Sequence, residues 1–343
     1  MPDTAPDEKP EPTYPHPASP IVASSNLAAP DSAPSTPTPQ EMWASPMDTT
    51  SAEREFTVEA RSQTRMIVQR FLHHKLAVVS VFVLIAVILL AFVGGPLWKY
   101  NYSDITPDNS VPPSANHPFG TDNLGHDNFA QVLRGTQVSL MIAFSVAVLA
   151  AIIGTVWGSI SGYYRGMTDT LMMRVVDLIL TIPILAAGAL LTKKWQSAGW
   201  WTLALVIAAL SWPAVSRVVR GQVLSLRERE YIEAARALGA TDSRIIFRHL
   251  LPNIAGQLIV VVTILVAAAI LIESSLSFLG FGVQTPDVSL GSLISGSDTA
   301  LAGGRWWLFY FPGIFIVLIA LSVNFIGDGL RDAFDPTQQR VRA

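Results

Sequence analysis

Six stretches of this 343-residue sequence are long and apolar enough to cross a membrane as helices. A helix needs about 20 mostly apolar residues to span the hydrocarbon core of a bilayer. Charged residues make up 14% of the chain, against roughly 25% in soluble domains. We therefore predict an all-α polytopic membrane protein with six transmembrane helices, at about 76–95, 138–160, 171–192, 200–219, 254–279 and 306–326.

The basic residues are unevenly divided between the two sides of such a membrane protein. If the N-terminus lies in the cytoplasm, 18 of the 23 Lys and Arg residues fall on the cytoplasmic side. Lys and Arg favour that side, above all in short loops. We therefore expect a multi-pass protein of the cytoplasmic (inner) membrane, with its N- and C-termini both in the cytoplasm.

Proline usage sets the N-terminal segment apart, because 12 of the 23 prolines lie within the first 50 residues. Residues 1–55 are predicted to form a disordered cytoplasmic tail, since they contain too little apolar surface to offset the entropy of folding. A Pro-rich arm that binds a partner is the alternative. We expect a basic juxtamembrane segment at 56–75, a six-helix domain at 76–336 and a cytoplasmic C-terminal tail at 337–343.

A charged segment between the fourth and fifth apolar stretches, residues 228–253, has the pattern of a helical hairpin. Residues 228–238 are mostly strong helix formers, and Gly239 follows where a helix end favours positive φ. Thr241 can cap a second helix, which we expect Pro252 to end. The pattern predicts a helix, a glycine turn and a second helix.

The first helix of this hairpin is predicted to have one apolar side. Ile232, Ala235 and Leu238 recur at helical spacing. One interpretation is an amphipathic helix that lies at the lipid interface. The alternative is a docking surface for another protein.

Small residues recur every four positions in the second apolar stretch, at Gly154, Gly158 and Gly162, with Gly166 beyond them. Such spacing lets transmembrane helices approach closely. We interpret these glycines as helix-packing residues.

Two acidic residues lie within the apolar stretches. Asp177 follows Arg174 by three residues, which favours an ion pair on one helix face. Glu273 lies near the end of the fifth stretch, and a charged residue there usually faces protein or water. It lines a pathway or bonds to the backbone of residues 275–283, and we favour the second, structural role.

Several chemistries lack the residues they need. The chain has no cysteine and a net charge of −3, which excludes thiolate metal sites and gives no support for nucleic-acid binding. It has no G-x-x-x-x-G-K-[ST] phosphate-binding loop and no histidine inside an apolar stretch. An intramembrane hydrolase would need a catalytic pair such as Asp177 with Glu273. A passive channel or scaffold would leave the hairpin without a role.

Within the hairpin, a set of residues at fixed offsets resembles the EAA loop of ABC-importer membrane subunits. The matching positions are Glu233, Ala234, Ala235, Gly239, Ile245, His249 and Pro252. The resemblance implies that these residues couple the chain to an ATPase subunit. It further implies that ATP and Mg²⁺ bind to the ATPase, and that this chain holds no cofactor or metal and is not itself an enzyme.

Three other segments resemble the C-type permease subunit of dipeptide and oligopeptide importers. They are HPFGTDNLGHDNFAQVLRG at 117–135, ESSLSFLGFGVQTPDVSLGSLI at 273–294 and NFIGDGLRDAFDP at 324–336. His126 departs from this pattern, because the family usually has Arg there. The resemblance implies the membrane domain of a type I importer. Its expected partners are a homologous second permease, two ABC ATPases, an extracytoplasmic binding protein and membrane lipid. Nickel or another small solute is the alternative cargo.

Overall fold

The computed structural model describes residues 63–194, 199–295 and 297–334. Within these ranges the chain is helical and contains no β-strand. The helices are α1 (Gln63–His73), α2 (Lys75–Leu89), α3 (Gly95–Leu97), α4 (Asn128–Tyr164), α5 (Gly166–Leu180), α6 (Ile184–Lys194), α7 (Trp200–Leu226), α8 (Glu230–Ala237), α9 (Asp242–Arg244), α10 (Leu251–Phe278), α11 (Leu290–Ile294), α12 (Ser297–Ala302) and α13 (Trp307–Phe334). Two π-helical segments, Leu90–Gly94 and Ile245–Leu250, join α2 to α3 and α9 to α10. The predicted all-α membrane fold is confirmed.

Five helical stretches in the described ranges are long and apolar enough to cross a membrane. They are Lys75–Leu97, Asn128–Tyr164, Trp200–Leu226, Asp242–Phe278 and Trp307–Phe334. The third predicted span is instead a bent pair, α5 and α6, whose axes differ by 82°. The break lies at Thr181–Pro183, because proline cannot continue a helical hydrogen-bond ladder and disfavours helix at the residue before it.

The long helix α4 forms the centre of the packed core. Its buried residues contact α7 most extensively, and α10 also packs against it. The main apolar core contains residues of these three helices and of α13. This arrangement places α4 next to most of the other spans.

Residues 98–127, between α3 and α4, form a folded cap on the start of α4. Asp127 is fully buried and accepts hydrogen bonds from Trp98 Nε1 at 2.8 Å and from the backbone N–H of Ala130 at 3.0 Å. His117 Nδ1 lies 2.7 Å from the same carboxylate. At the position that departs from the permease pattern, His126 Nδ1 lies 2.7 Å from Asp122.

The described residues include only part of the predicted terminal segments. The predicted tails, 1–55 and 337–343, lie outside the described residues. Of the predicted juxtamembrane segment, 56–75, the structure describes α1 and the start of α2. The domain boundaries therefore stay predictions.

Candidate functional site

The charged segment between α7 and α10 has the order helix, glycine turn and helix. α8 ends at Ala237, and Gly239 adopts φ +80°, a conformation that favours glycine. The Gly239 N–H donates to Arg236 O at 3.0 Å. Thr241 Oγ1 then caps the second arm by accepting from the backbone N–H of Arg244 at 3.4 Å. We call residues 228–253 the coupling hairpin, after the role that the sequence resemblance implies for them.

The second arm of the coupling hairpin does not end at Pro252, contrary to the sequence prediction. α9, the π-helical segment and α10 form one continuous stretch, Asp242–Phe278. Pro252 lies within that stretch, two residues after the π-helical turn Ile245–Leu250. The π-helical turn already interrupts the regular helical hydrogen-bond ladder there, so the missing N–H of Pro252 is tolerated. The coupling hairpin is therefore continuous with a membrane-spanning helix.

The coupling hairpin is anchored by apolar residues that face the spans. Ile232 from the first arm and Ile245 from the second arm are both fully buried, in one cluster with Val219 and Val223 of α7. Ile245 was assigned to the ATPase-coupling set, but its position is that of an anchor beneath the surface.

The predicted apolar side of the first arm is wrong in one respect. Ile232 is buried and Ala235 is half-buried, whereas Leu238 is 89% exposed. The helix ends at Ala237, and Leu238 has the non-helical backbone angles φ −79° and ψ 7°. Helical spacing therefore does not extend to Leu238, which faces away from the core.

The exposed surface of the coupling hairpin contains both charged and large apolar side chains. Leu238 and Phe247 are 89% and 65% exposed, and Tyr231 is exposed as well. Among the predicted coupling residues, the exposed ones are Glu233, Ala234, Gly239 and Pro252, and the half-buried ones are Ala235 and His249. Exposed apolar side chains rimmed by polar ones are typical of a protein-interaction surface.

The glycines that are spaced four residues apart lie at the contact between α4 and α7. A Cβ atom on Gly154 would come within 2.7 Å of Val215 Cβ, and one on Gly162 within 2.9 Å of Arg220 O. Gly158 is equally close to Ser216. Gly166, with φ +58°, starts α5 and has no such neighbour within 4 Å, so the packing series ends at Gly162.

The two intramembrane acids have partners that the sequence did not predict. Asp177 pairs with Arg217 at 2.5 Å across two helices, so the predicted pairing with Arg174 is wrong. Glu273 is fully buried and accepts from Ser139 Oγ at 3.0 Å and Ser277 Oγ at 2.7 Å. Glu273 bonds to serine hydroxyls rather than to the predicted backbone of residues 275–283, and its structural role stays a prediction.

Asp177 and Glu273 therefore do not form the catalytic pair that an intramembrane hydrolase would require. Asp177 is about half exposed and engages a cation, whereas Glu273 is enclosed by hydroxyl groups. Within the described ranges no group of three or more His, Asp or Glu side chains is placed to hold a metal ion.

Sequence reasoning missed two ion pairs that join distant segments. Asp169 at the start of α5 receives two hydrogen bonds of 2.6 Å from the guanidinium group of Arg220 in α7. Arg134 in α4 makes a similar pair with Asp287, at 2.8 and 3.0 Å. Two-point Arg–carboxylate pairs fix orientation as well as distance. Since 51 and 153 residues separate the partners, no local pattern could have revealed them.

The fold is that of a helical membrane protein, and comparison with known proteins gives its family. Residues 154–340 match the family described as binding-protein-dependent transport system inner membrane component. Residues 62–118 match the N-terminal transmembrane domain of oligopeptide transport permease C. The chain belongs to the family of binding-protein-dependent transport system inner membrane components.

Curated relatives are similar over most of their length. The oligopeptide transport system permease protein OppC of Mycobacterium tuberculosis (H37Rv) is 44% identical over 286 residues, which cover 83% of this chain and 98% of that protein. OppC of Bacillus subtilis (strain 168) is 41% identical over 268 residues, which cover 78% and 87% respectively. A putative peptide permease protein of Brucella suis is 44% identical over 271 residues, covering 78% and 89%. The suspected resemblance to C-type peptide permeases is confirmed.

Proposed function

We propose that this chain is a transmembrane permease subunit of an ATP-driven ABC importer that moves di- or oligopeptides into the cytoplasm. The observation that carries the proposal is the 44% identity to an oligopeptide permease, since it covers 98% of that protein. The relatives described above are named as peptide permeases, so nickel is not favoured as the cargo.

The proposed complex contains four kinds of protein besides lipid. This chain pairs with a homologous second permease, two ABC ATPases dock on the cytoplasmic side, and an extracytoplasmic binding protein delivers the peptide. ATP and Mg²⁺ belong to the ATPases, and this chain is a non-catalytic subunit. The Lys and Arg distribution supports cytoplasmic N- and C-termini.

Energy coupling passes through the coupling hairpin in this proposal. Glu233 and Ala234 are exposed for contact with the ATPase, and Leu238 and Phe247 supply apolar area. An exposed ion pair contributes only about 0–1 kcal/mol. We therefore assign most of the docking energy to the apolar contacts and the choice of register to Glu233.

Peptide uptake by the complete importer tests the proposed function. A strain that lacks only this chain should regain uptake of a radiolabelled short peptide when the chain is supplied. Excess unlabelled peptide should abolish that uptake, whereas nickel chloride should not. An ATPase variant that cannot hydrolyse ATP should also abolish it.

Two outcomes would contradict the proposal. Competition by nickel but not by peptide would assign a metal cargo to this chain. Uptake that survives loss of ATP hydrolysis would instead favour a passive channel, in which the coupling hairpin transmits no work.

A further inference from the structure

Tyr163 lies directly beneath the coupling hairpin, one residue before the end of α4. Its side chain is only 4% exposed, and it belongs to the same buried cluster as Ile232, Ile245 and Val223. The ring therefore packs against both arms of the coupling hairpin and against α7. No sequence motif pointed to this residue.

The polar contacts of Tyr163 join three separate segments. Its hydroxyl group donates to Asp242 Oδ1 at 2.6 Å, at the start of the second arm. The guanidinium carbon of Arg236, on the first arm, lies 5.9 Å from the ring centroid. Arg227, at the end of α7, lies 5.8 Å from the centroid and donates to the Tyr163 carbonyl. Tyr163 therefore connects the last turn of α4 to both arms of the coupling hairpin and to Arg227 at the end of α7.

From Tyr163, α4 extends without a break to Asn128, about 53 Å at 1.5 Å per residue. About 36 Å along α4 from Tyr163, Ser139 donates to the buried Glu273 and accepts from the Leu290 N–H at 3.2 Å. Closely packed helices transmit a displacement because the protein interior is nearly incompressible. A shift of the coupling hairpin at Tyr163 would therefore move a helix that also contacts the start of α11.

We propose that the Tyr163–Asp242 hydrogen bond passes movement of the coupling hairpin to α4. Tyr163 and Asp242 are then positioning residues for transport, which couple ATP hydrolysis to the spans without touching peptide or ATP. This inference rests on the proposed function of the chain. A tyrosine with only a structural role would act through its apolar ring alone, and phenylalanine would then replace it without loss of transport.

The test uses the complete importer reconstituted in lipid vesicles, with peptide uptake measured per ATP hydrolysed. Tyr163→Phe removes the donor and keeps the ring, and Asp242→Ala removes the acceptor. Asp242→Asn retains an acceptor oxygen and serves as the conservative variant. Tyr164→Phe is the matched control, because its exposed hydroxyl is on the neighbouring residue of the same helix.

Docking is followed separately by a disulfide between Ala237→Cys and a cysteine in the ATPase cleft. The chain contains no other cysteine. We expect Tyr163→Phe and Asp242→Ala each to lower uptake per ATP by roughly ten- to a hundredfold, the range for loss of a hydrogen bond to a charged group. The double variant should be no worse than either single one. Asp242→Asn should lose less uptake than Asp242→Ala, because a neutral acceptor oxygen remains. Tyr164→Phe should match wild type, and the cross-link should form in all variants.

Three results would overturn the inference while leaving the proposed function intact. The first is a Tyr163→Phe importer with the same uptake per ATP as Tyr164→Phe. The second is independent, multiplying effects of Tyr163→Phe and Asp242→Ala. The third is loss of the cross-link in Tyr163→Phe, since the hydroxyl group would then maintain the fold of the coupling hairpin. A wild-type complex with neither uptake nor cross-link would overturn the proposed function, and this inference with it.

Discussion

Adding one methyl group at Gly158 should separate α4 from α7. A Cβ atom there would lie 2.5 Å from Ser216 O, 2.9 Å from Val219 Cβ and 3.0 Å from the Arg220 backbone N. Favourable carbon contacts occur at about 3.5–4.0 Å. Two of the three neighbours are backbone atoms that cannot rotate away, so the helices themselves must shift by several tenths of an ångström.

The magnitude follows from a matched pair of substitutions. Overpacking a close contact costs about 1–3 kcal/mol, whereas replacing a helical glycine by alanine gains about 1 kcal/mol of helix propensity. Gly221→Ala in α7 has the same gain without the clash, because no atom lies within 4 Å of its added Cβ. Gly158→Ala should therefore have a free energy of unfolding about 1–3 kcal/mol below that of Gly221→Ala.

The assay is unfolding of the purified chain in mixed micelles, followed by the fluorescence of its nine tryptophans. Gly221→Ala should be at least as stable as wild type and Gly158→Ala less stable. Equal free energies of unfolding for the two variants would refute the close approach of α4 and α7 at Gly158.

Substitutions at three further positions have expected results of different size. Gly239→Pro should leave the protein inserted but stop uptake, because proline cannot adopt φ +80° and removes the N–H that bonds to Arg236; wild-type uptake would contradict the coupling role of the turn. Glu273→Ala should lower the free energy of unfolding by about 2–4 kcal/mol, because two buried serine hydroxyls lose their acceptor. Glu273→Gln should cost less, and equal losses would show that the acceptor oxygen does not matter. Asp177→Asn should change that free energy by less than about 1 kcal/mol, since its pair with Arg217 is half exposed; a larger loss would show that the pair is shielded from water.

The sequence predicted those features that depend on local chemistry. Hydropathy located the spans because a bilayer requires long apolar helices with internally satisfied backbones. Gly239 and Thr241 located the turn of the coupling hairpin because positive φ and N-capping have strong residue preferences. The Gly154–Gly162 series was recognisable for the same reason, since close helix contact favours small residues.

Where tertiary context decided the outcome, the local prediction was wrong. Pro252 is predicted to end a helix, but the helix continues through it after a π-helical turn. Leu238 matched the helical period, yet the helix ends one residue before it. Asp177 forms an ion pair with Arg217 on α7 rather than with Arg174 on its own helix. The contact of Tyr163 with Asp242 joins residues 79 positions apart, which no local pattern records.

Cross-linking of the coupling hairpin to an ATPase tests the central claim most directly. Ala237→Cys places a single cysteine on an exposed position of the first arm, and a second cysteine is placed in the cleft of the co-expressed ATPase. The account predicts a disulfide in native membranes whose yield changes when ATP is added. A complex that inserts correctly but gives no cross-link at any nucleotide state would contradict the assignment of this hairpin as the ATPase contact.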